Sequence, residues 1–564
     1  MGLLNNKRRR VEIDPDEIFL DSKNLPNFNT QQFEGRLERA IPKRSVALLG
    51  SFFFVFIFIF MGQLLKLQVV EGDYYAKKSE SNRLIKEPIV APRGLIYDRN
   101  DIQLAWNTWD TTDVNQTLPP KRSYYDTPGF GLLLGYVSSP SKDNLGNYWQ
   151  DTFVGKDGVE KYYNDTLTGT NGNRITEVDA SGAVQSQNTV SMPKAGADVK
   201  LSIDARIEKK MYQSITDMAK NASFSGGAGV LMDINSGEVL ALTSYPEYNS
   251  TILSDGKDKK IINGYFSDKR KVFLNRAVSG LYSPGSTVKP FIGYAALVEN
   301  VISPFKQIFA HVSISIPNPY FPEKKSTFKD HGTFGYIDIK SAIALSSDVF
   351  FYEIGGGYQD QKGLGIANID KYSRMFGLPD KTGIDLGGEK SGVIPTPDWK
   401  AKTFKGEIWR VGDTYNTAIG QYGFQVTPVA MARSVASIAN GGTLVTPHVT
   451  LSNTTAESNK TTLGLDADNL KIIQSAMRQA VTSGTATALN LPSVAVAAKS
   501  GTAQIGLGNT NTNSWIIGFF PYDKPKYAFA VLMEKGPKAA SGNATKVMSE
   551  VVDYMSVYTP EYLK

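Results

Sequence analysis

The feature that most constrains this chain is a run of 21 uncharged residues between Arg44 and Lys66, SVALLGSFFFVFIFIFMGQLL. As a helix rising about 1.5 Å per residue, it reaches about 30 Å, the hydrocarbon thickness of a bilayer. A cleaved export signal would be shorter and end in a small-x-small pattern, whereas this run passes into QVVEGDYYAKK. A core helix of a soluble domain would carry a polar face, and none is present. The run is therefore read as one membrane-spanning helix over 46–66. Lys7, Arg8, Arg9 and Arg10, then Arg36, Arg39, Lys43 and Arg44, place the N-terminus in the cytoplasm, although Lys66, Lys77, Lys78 and Arg83 nearly balance the nearer group. The chain beyond residue 66 is then outside the cytoplasm.

At 564 residues the chain holds two or three modules. With 41% hydrophobic and 11% aromatic residues it fills a large core, which excludes disorder as its main state. The absence of cysteine removes disulfides, thiolate catalysis, iron–sulfur clusters and cysteine-based zinc sites. Only His311, His331 and His448 remain for a histidine metal centre, so none is expected. A net charge of +6 over this length gives no nucleic-acid footprint. Chemistry falls to Ser, Lys, Asp, Glu and Tyr.

Residues 1–45 read as a polar, flexible tail containing Pro15, Pro26 and Pro42. Residues 67–195 are rich in Gly, Asn, Asp and Thr, with short strand-like runs between turn clusters. From 196 to 564 the texture changes. ARIEKKMYQSITDMAKNA is an amphipathic helix pattern, and AGVLMDI and EVLALTSY form a hairpin around Asn235-Ser236-Gly237. Far along the chain, SWIIGFFP and YAFAVLMEK are two more apolar strands, followed by the helical KVMSEVVDYMSVY. Strands from distant segments with helices between them predict an α+β domain.

A serine nucleophile can be activated by a lysine one helical turn away, because residues i and i+3 share a face. S-x-x-K occurs six times, starting at Ser139, Ser191, Ser254, Ser286, Ser303 and Ser326, so chance accounts for most copies. Ser139 and Ser303 precede proline, and Ser191 and Ser254 lie in turn-like stretches. Ser286 instead follows SPG and opens STVKPFIGYAALVEN, whose apolar spacing is helical. A serine there gains free backbone N–H groups and the positive end of the helix dipole. K-[ST]-G occurs at Lys381, Lys390 and Lys499. The first two fall in a Gly- and Pro-dense loop. Lys499 follows VAVAA, which places Lys499, Ser500, Gly501 and Thr502 on a strand where glycine allows close backbone approach. Between these motifs lies Ser346-Ser347-Asp348, which in isolation reads as a helix-end cap.

In this order the three motifs resemble the penicillin-recognising serine enzymes, with S-x-x-K, S-x-N and K-[ST]-G. APRGLIYDRNDIQLA (91–105) and VGKDGVEKYYNDTLTG (154–169) resemble the pedestal of class B penicillin-binding proteins. SSDVFFY and AIGQYG are most similar to the elongation-type members, penicillin-binding protein 2. The resemblance implies a serine β-lactamase-like transpeptidase domain, an antiparallel sheet flanked by helices, on an elongated mainly-β pedestal with one N-terminal membrane helix. It implies Ser286 as nucleophile and Lys289 as general base. Ser346, Asp348 and Lys499 complete the catalytic set, and Ser500, Gly501 and Thr502 bind substrate. Asp348 stands where most relatives have Asn, and a carboxylate there favours protonated lysines. The implied reaction is D,D-transpeptidation of peptidoglycan stem peptides, blocked covalently by β-lactams and needing no cofactor. The implied partner is a SEDS-family glycan polymerase of the elongation machinery. The competing readings are a septal transpeptidase, a carboxypeptidase, β-lactamase or β-lactam receptor of the same fold, and a wall scaffold with a dead site. Some relatives seat metal ligands in a stretch matching FKDHGTFG; here it offers Asp330 and His331 without cysteine, and two ligands predict no metal site.

Overall fold

The computed structural model describes residues 42–564 apart from 113–117, 145, 180–182, 319, 322, 452–459, 539 and 541. All but the last four residues of the 1–45 tail lie outside the described residues. Two compact units are present. The first comprises the described residues up to Ile85 with Glu177–Ala183, and the second comprises Lys86–Thr176 with Val184–Lys564.

The first unit is built on helix α1, Lys43–Leu65, which contains no buried residue. Its phenylalanines stack at one-turn spacing, Phe52 on Phe56 at 4.8 Å and Phe54 on Phe58 at 5.6 Å between ring centroids. The helix begins at Lys43, three residues before the expected span, and a π-helical turn over Lys66–Val70 extends it. Its length and apolarity suffice to cross a membrane, and it fits a single-pass anchor.

In the second unit, APRGLIYDRN is a structural knot. Strand Gln103–Thr108 pairs antiparallel with Ile96–Tyr97 and Lys121–Tyr124, while Val199–Lys200 joins Ile96–Tyr97 in parallel. Arg93 projects from this segment into a fully buried ionic cluster. Its Nε donates to Glu160 at 2.5 Å, and its terminal nitrogens donate to the Glu160 carbonyl at 2.7 Å and the Thr168 hydroxyl at 2.9 Å. Arg122 donates to the other Glu160 oxygen at 2.7 Å. Asp98 turns the same segment by accepting the N–H groups of Asn100 and Ile102, and it also accepts that of Ala205.

The same unit carries a five-stranded antiparallel sheet of β1 (Gly226–Asp233), β2 (Val239–Tyr245), β3 (Ala497–Ile505), β4 (Asn511–Phe520) and β5 (Tyr527–Pro537). Its order is β2-β1-β5-β4-β3. The hairpin and the two later apolar strands are those expected. Side chains alternate between two cores, as the strand period of two requires. Val230, Leu532, Trp515 and Ile517 face one core, and Leu231, Val531, Met533 and Ile516 face the other. The second core is closed by helix α2 (Ala205–Asn221) through Ile207, Met211 and Ile215, and by helix α8 (Ala544–Tyr558) through Val547 and Val551. The first is closed by helix α6 (Pro428–Ala439) and by a mainly helical region holding α3 (Lys289–Val298), α4 (Ile339–Leu345), α5 (Asp348–Gly356) and α7 (Ala467–Ser483). Burying each large apolar side chain here stabilises by roughly 1.5–3 kcal/mol.

Candidate active site

Ser286 sits on a 3₁₀ turn, Gly285–Val288, that leads into α3. The expected helix therefore starts with Ser286 one tight turn ahead of its α-helical part, and Pro290 falls in the first turn, where its missing N–H is harmless. The turn is held from three sides. Thr287 donates to the Pro284 carbonyl at 2.8 Å, Trp515 of β4 donates to Ser283 at 3.0 Å, and the Gly285 N–H donates to the Gly420 carbonyl at 3.0 Å. Two glycines are required by contact. A Cβ on Gly420 would lie 2.3 Å from the Gly285 carbonyl oxygen, and one on Gly501 would lie 2.7 Å from Thr287. These approaches bring β3 and the AIGQYG turn against the Ser286 turn.

Two buried amines converge on Ser346. Lys289 donates to the Ser346 carbonyl at 2.6 Å, to its hydroxyl at 3.5 Å and to the Asp348 carboxylate at 2.6 Å. Lys499 donates to the Ser346 hydroxyl at 2.9 Å and to its neighbour's carbonyl, Ser500, at 2.7 Å. Burial drives the pKa of Lys499 well below its ordinary value, the positive charge of Lys289 pushes it the same way, and Asp348 opposes both. Lys289 is ion-paired and Lys499 is the amine that can be neutral.

Ser346 is held in the left-handed region, φ +64°, at the end of α4. A brace that the sequence did not reveal fixes it there. Buried Asp330 accepts the Ser347 hydroxyl at 2.6 Å and the Val349 N–H at 2.9 Å, and it binds the His331 ring at 2.9 Å. The other His331 ring nitrogen bonds the Leu345 carbonyl at 3.2 Å. Burial would raise the Asp330 pKa, but His331, Ser347 and the α5 N–H groups outweigh it and hold it at about 2. The contact to Asp330 raises that of His331. The only signal in the sequence is the Asp-His pair of FKDHGTFG, which by residue type suggests a metal and not a brace.

The fold adds a third residue to that pair. Asp330, His331 and Asp348 place ligand atoms within 4.8 Å of one another, where the sequence offered two. Their atoms are committed, however. Asp330 serves the brace, and a divalent ion would have to displace the Lys289 ammonium from Asp348. The donor set does not fit a metal.

Ser286, Ser346, Asp348, Ser500, Gly501 and Thr502 line one cavity of about 470 Å³. Lys289 and Lys499 lie beneath its floor, fully buried. The other motif copies are elsewhere, though not all in loops. Ser191 ends strand Val184–Ser191, Ser326 lies on strand Lys325–Lys329, and Ser254 is buried in helix Ser250–Asp255 against Tyr124. Periodicity over so few residues could not reveal these. Lys381 and Lys390 carry no regular structure.

A family model described as the penicillin-binding protein transpeptidase domain matches residues 227–553, and one described as the penicillin-binding protein dimerisation domain matches 107–201. The first covers more than half of the chain, which therefore belongs to the penicillin-binding protein transpeptidases. Among individual proteins, the chain is 28% identical to the Escherichia coli K12 peptidoglycan D,D-transpeptidase MrdA, over 90% of this chain and 93% of that one. Two solved structures resemble it at 28% identity. Pseudomonas aeruginosa PBP2 in complex with WCK 5153 matches with TM-score 0.69, covering 85% of this chain and 98% of that one. Helicobacter pylori PBP2 in complex with MreC matches with TM-score 0.68, covering 85% and 99%.

Proposed function

We propose that this protein is the elongation-type peptidoglycan D,D-transpeptidase of its cell, acting through an acyl-enzyme on Ser286. The observation that carries the assignment of residues is the convergence of Lys289 and Lys499 on Ser346, beneath the cavity that holds Ser286. Ser286 attacks the penultimate D-Ala carbonyl of a stem pentapeptide, and Lys289, one turn on, takes its proton as the ion-paired ammonium gives one of its own to the Ser346 hydroxyl. Ser346 bridges the two amines, so the proton passes on through its hydroxyl to neutral Lys499. Ser500 and Thr502 hold the terminal carboxylate above the buried Lys499, and the Ser286 and Thr502 N–H groups receive the oxyanion. D-Ala leaves, and an amine from a second strand resolves the ester.

Residues 67–195 serve as pedestal and 196–564 as the transpeptidase domain. Helix α1 anchors the chain with its N-terminus in the cytoplasm and the catalytic domain outside. The Helicobacter relative was solved with MreC; for this chain we assign a SEDS-family polymerase as the membrane partner, because transpeptidation needs strands that another enzyme supplies.

Intact-mass analysis after incubation with benzylpenicillin tests the nucleophile. One adduct is expected, mapping to Ser286 and lost in Ser286→Ala. An adduct on Ser139, Ser303 or Ser326 would sink the assignment. Depletion should give rounded cells; filaments would assign the protein to the septum.

A further inference from the structure

The cavity that opens on Ser286 does not end at the carboxylate grip. Gln504 follows Ser500 and Thr502 as the next outward position of β3, and Thr512 faces it across the β3–β4 register. Beyond them the wall is made by Asn543, Thr545 and Lys538. Among the described residues, three ionisable side chains line the cavity: His331, Asp348 and Lys538. His331 is bound to Asp330 and Asp348 to Lys289. Lys538 is exposed and takes part in no ion pair among the described residues.

The acyl-enzyme exchanges one amine for another, which fixes where the second must lie. By microscopic reversibility, the incoming amine attacks along the line by which D-Ala departed. D-Ala departs from the side on which its carboxylate is gripped, so the body of the acceptor extends over the same side. D-Ala is small, whereas an acceptor amine carries a peptide behind it. The polar shelf beyond Thr502 is the part of the cavity that the leaving group does not fill.

We infer that this shelf is the acceptor subsite, taking the amine-bearing, anionic stem peptide of a second strand, with Lys538 pairing with one of its carboxylates. The inference rests on the acyl-enzyme assignment above. In the step it serves, the ester bond to Ser286 Oγ breaks and an amide C–N bond forms. The proton shed by the amine returns to Ser286 Oγ, so no oxidant, reductant or cofactor is needed. Lys538 acts by charge on binding, not on the reacting atoms.

The test separates the two half-reactions in the full-length protein. Acylation is timed with benzylpenicillin. Transfer is measured with a pentapeptide muropeptide as donor and a tripeptide muropeptide as acceptor, as the ratio of cross-linked to hydrolysed product against acceptor concentration. Lys538→Ala should leave acylation unchanged and raise the half-saturating acceptor concentration about three- to tenfold, the scale of one solvent-accessible ion pair. Lys538→Glu should raise it further, Lys538→Arg should restore it, and added salt should narrow the differences. Normal acylation with an unchanged product ratio in both Ala and Glu variants overturns the subsite alone. Failure of the unsubstituted chain to be acylated at Ser286 overturns the underlying assignment and the subsite with it.

Discussion

In the pedestal, Arg93 and Arg122 close on Glu160; in the cleft, Lys289 and Lys499 converge on Ser346 beside Asp348. Both clusters set two fully buried basic side chains near one carboxylate, Glu160 in the interior and Asp348 at the cavity wall. A guanidinium does not deprotonate in a protein, whereas an amine does when it is desolvated. The pedestal cluster therefore keeps its charge. It meets the cost with hydrogen bonds to Glu160, Thr168 and backbone carbonyls, and still leaves two Arg122 nitrogens without a partner among the described residues. The cleft relieves the same excess by favouring a neutral Lys499. One cluster is a fastening and the other a place where a proton can move, and the choice of arginine or lysine makes the difference.

The largest expected effect breaks the fastening. Glu160→Ala leaves two guanidinium groups buried without a counter-charge and should cost about 3–5 kcal/mol of stability. Urea unfolding of the purified protein checks this, and a loss below about 1 kcal/mol would contradict the claim that the cluster is structural. Next, Lys499→Arg keeps the positive charge but forbids the neutral form. It should slow acylation by benzylpenicillin about 10²–10³-fold, or roughly 2.7–4 kcal/mol, with the fold intact. Lys381→Ala sets the zero of the same assay. The pH profile supplies the sign. Because burial and then Lys289 lower the Lys499 pKa, its neutral form persists below the ordinary lysine range, and acylation should fall as pH drops through that lowered value. A profile that rises on acidification would refute the neutral-amine role.

The smallest effect concerns the brace. Asp330→Asn weakens the acceptor of the Ser347 hydroxyl and the Val349 N–H, and should cost acylation about tenfold, on the order of 1.4 kcal/mol. Stopped-flow acylation at several pH values checks it. A positioning role predicts a lower plateau together with a displaced pH midpoint, whereas simple loss of folded protein would lower the plateau alone.

Much of this was legible in the sequence and some was not, for physical reasons. Ser286 stood out because local pattern settles helix entry, and Lys499 because the flanking apolar run settles a strand. The hairpin around Asn235-Ser236-Gly237 was visible for the same reason. What escaped were contacts made by folding. Arg93 and Glu160 lie in two recognised motifs, yet nothing local says that they meet. Asp330 and Ser347 are 17 positions apart, with strand Gly335–Ile337 and helix α4 between them. Lys538 succeeds β5 in a segment with no periodicity, and only the shared cavity ties it to Ser286.

The order of the sheet has a consequence for how the molecule comes into being. Its central strand, β5, lies between β1 and β4, and Gly226 pairs with Glu534, 308 positions later. Pairing across such a separation carries a large loop-closure entropy and comes late in folding. Until β5 arrives, β3 and β4 have no place beside β1, and Lys499 cannot be carried to Ser346. A chain still being synthesised or exported thus holds Ser286 without its second amine and without Gly501 against its turn. Reactivity towards wall peptides and β-lactams is in this way withheld until Tyr527–Pro537 has joined the sheet, so the nucleophile is armed by the last strand of its own sheet.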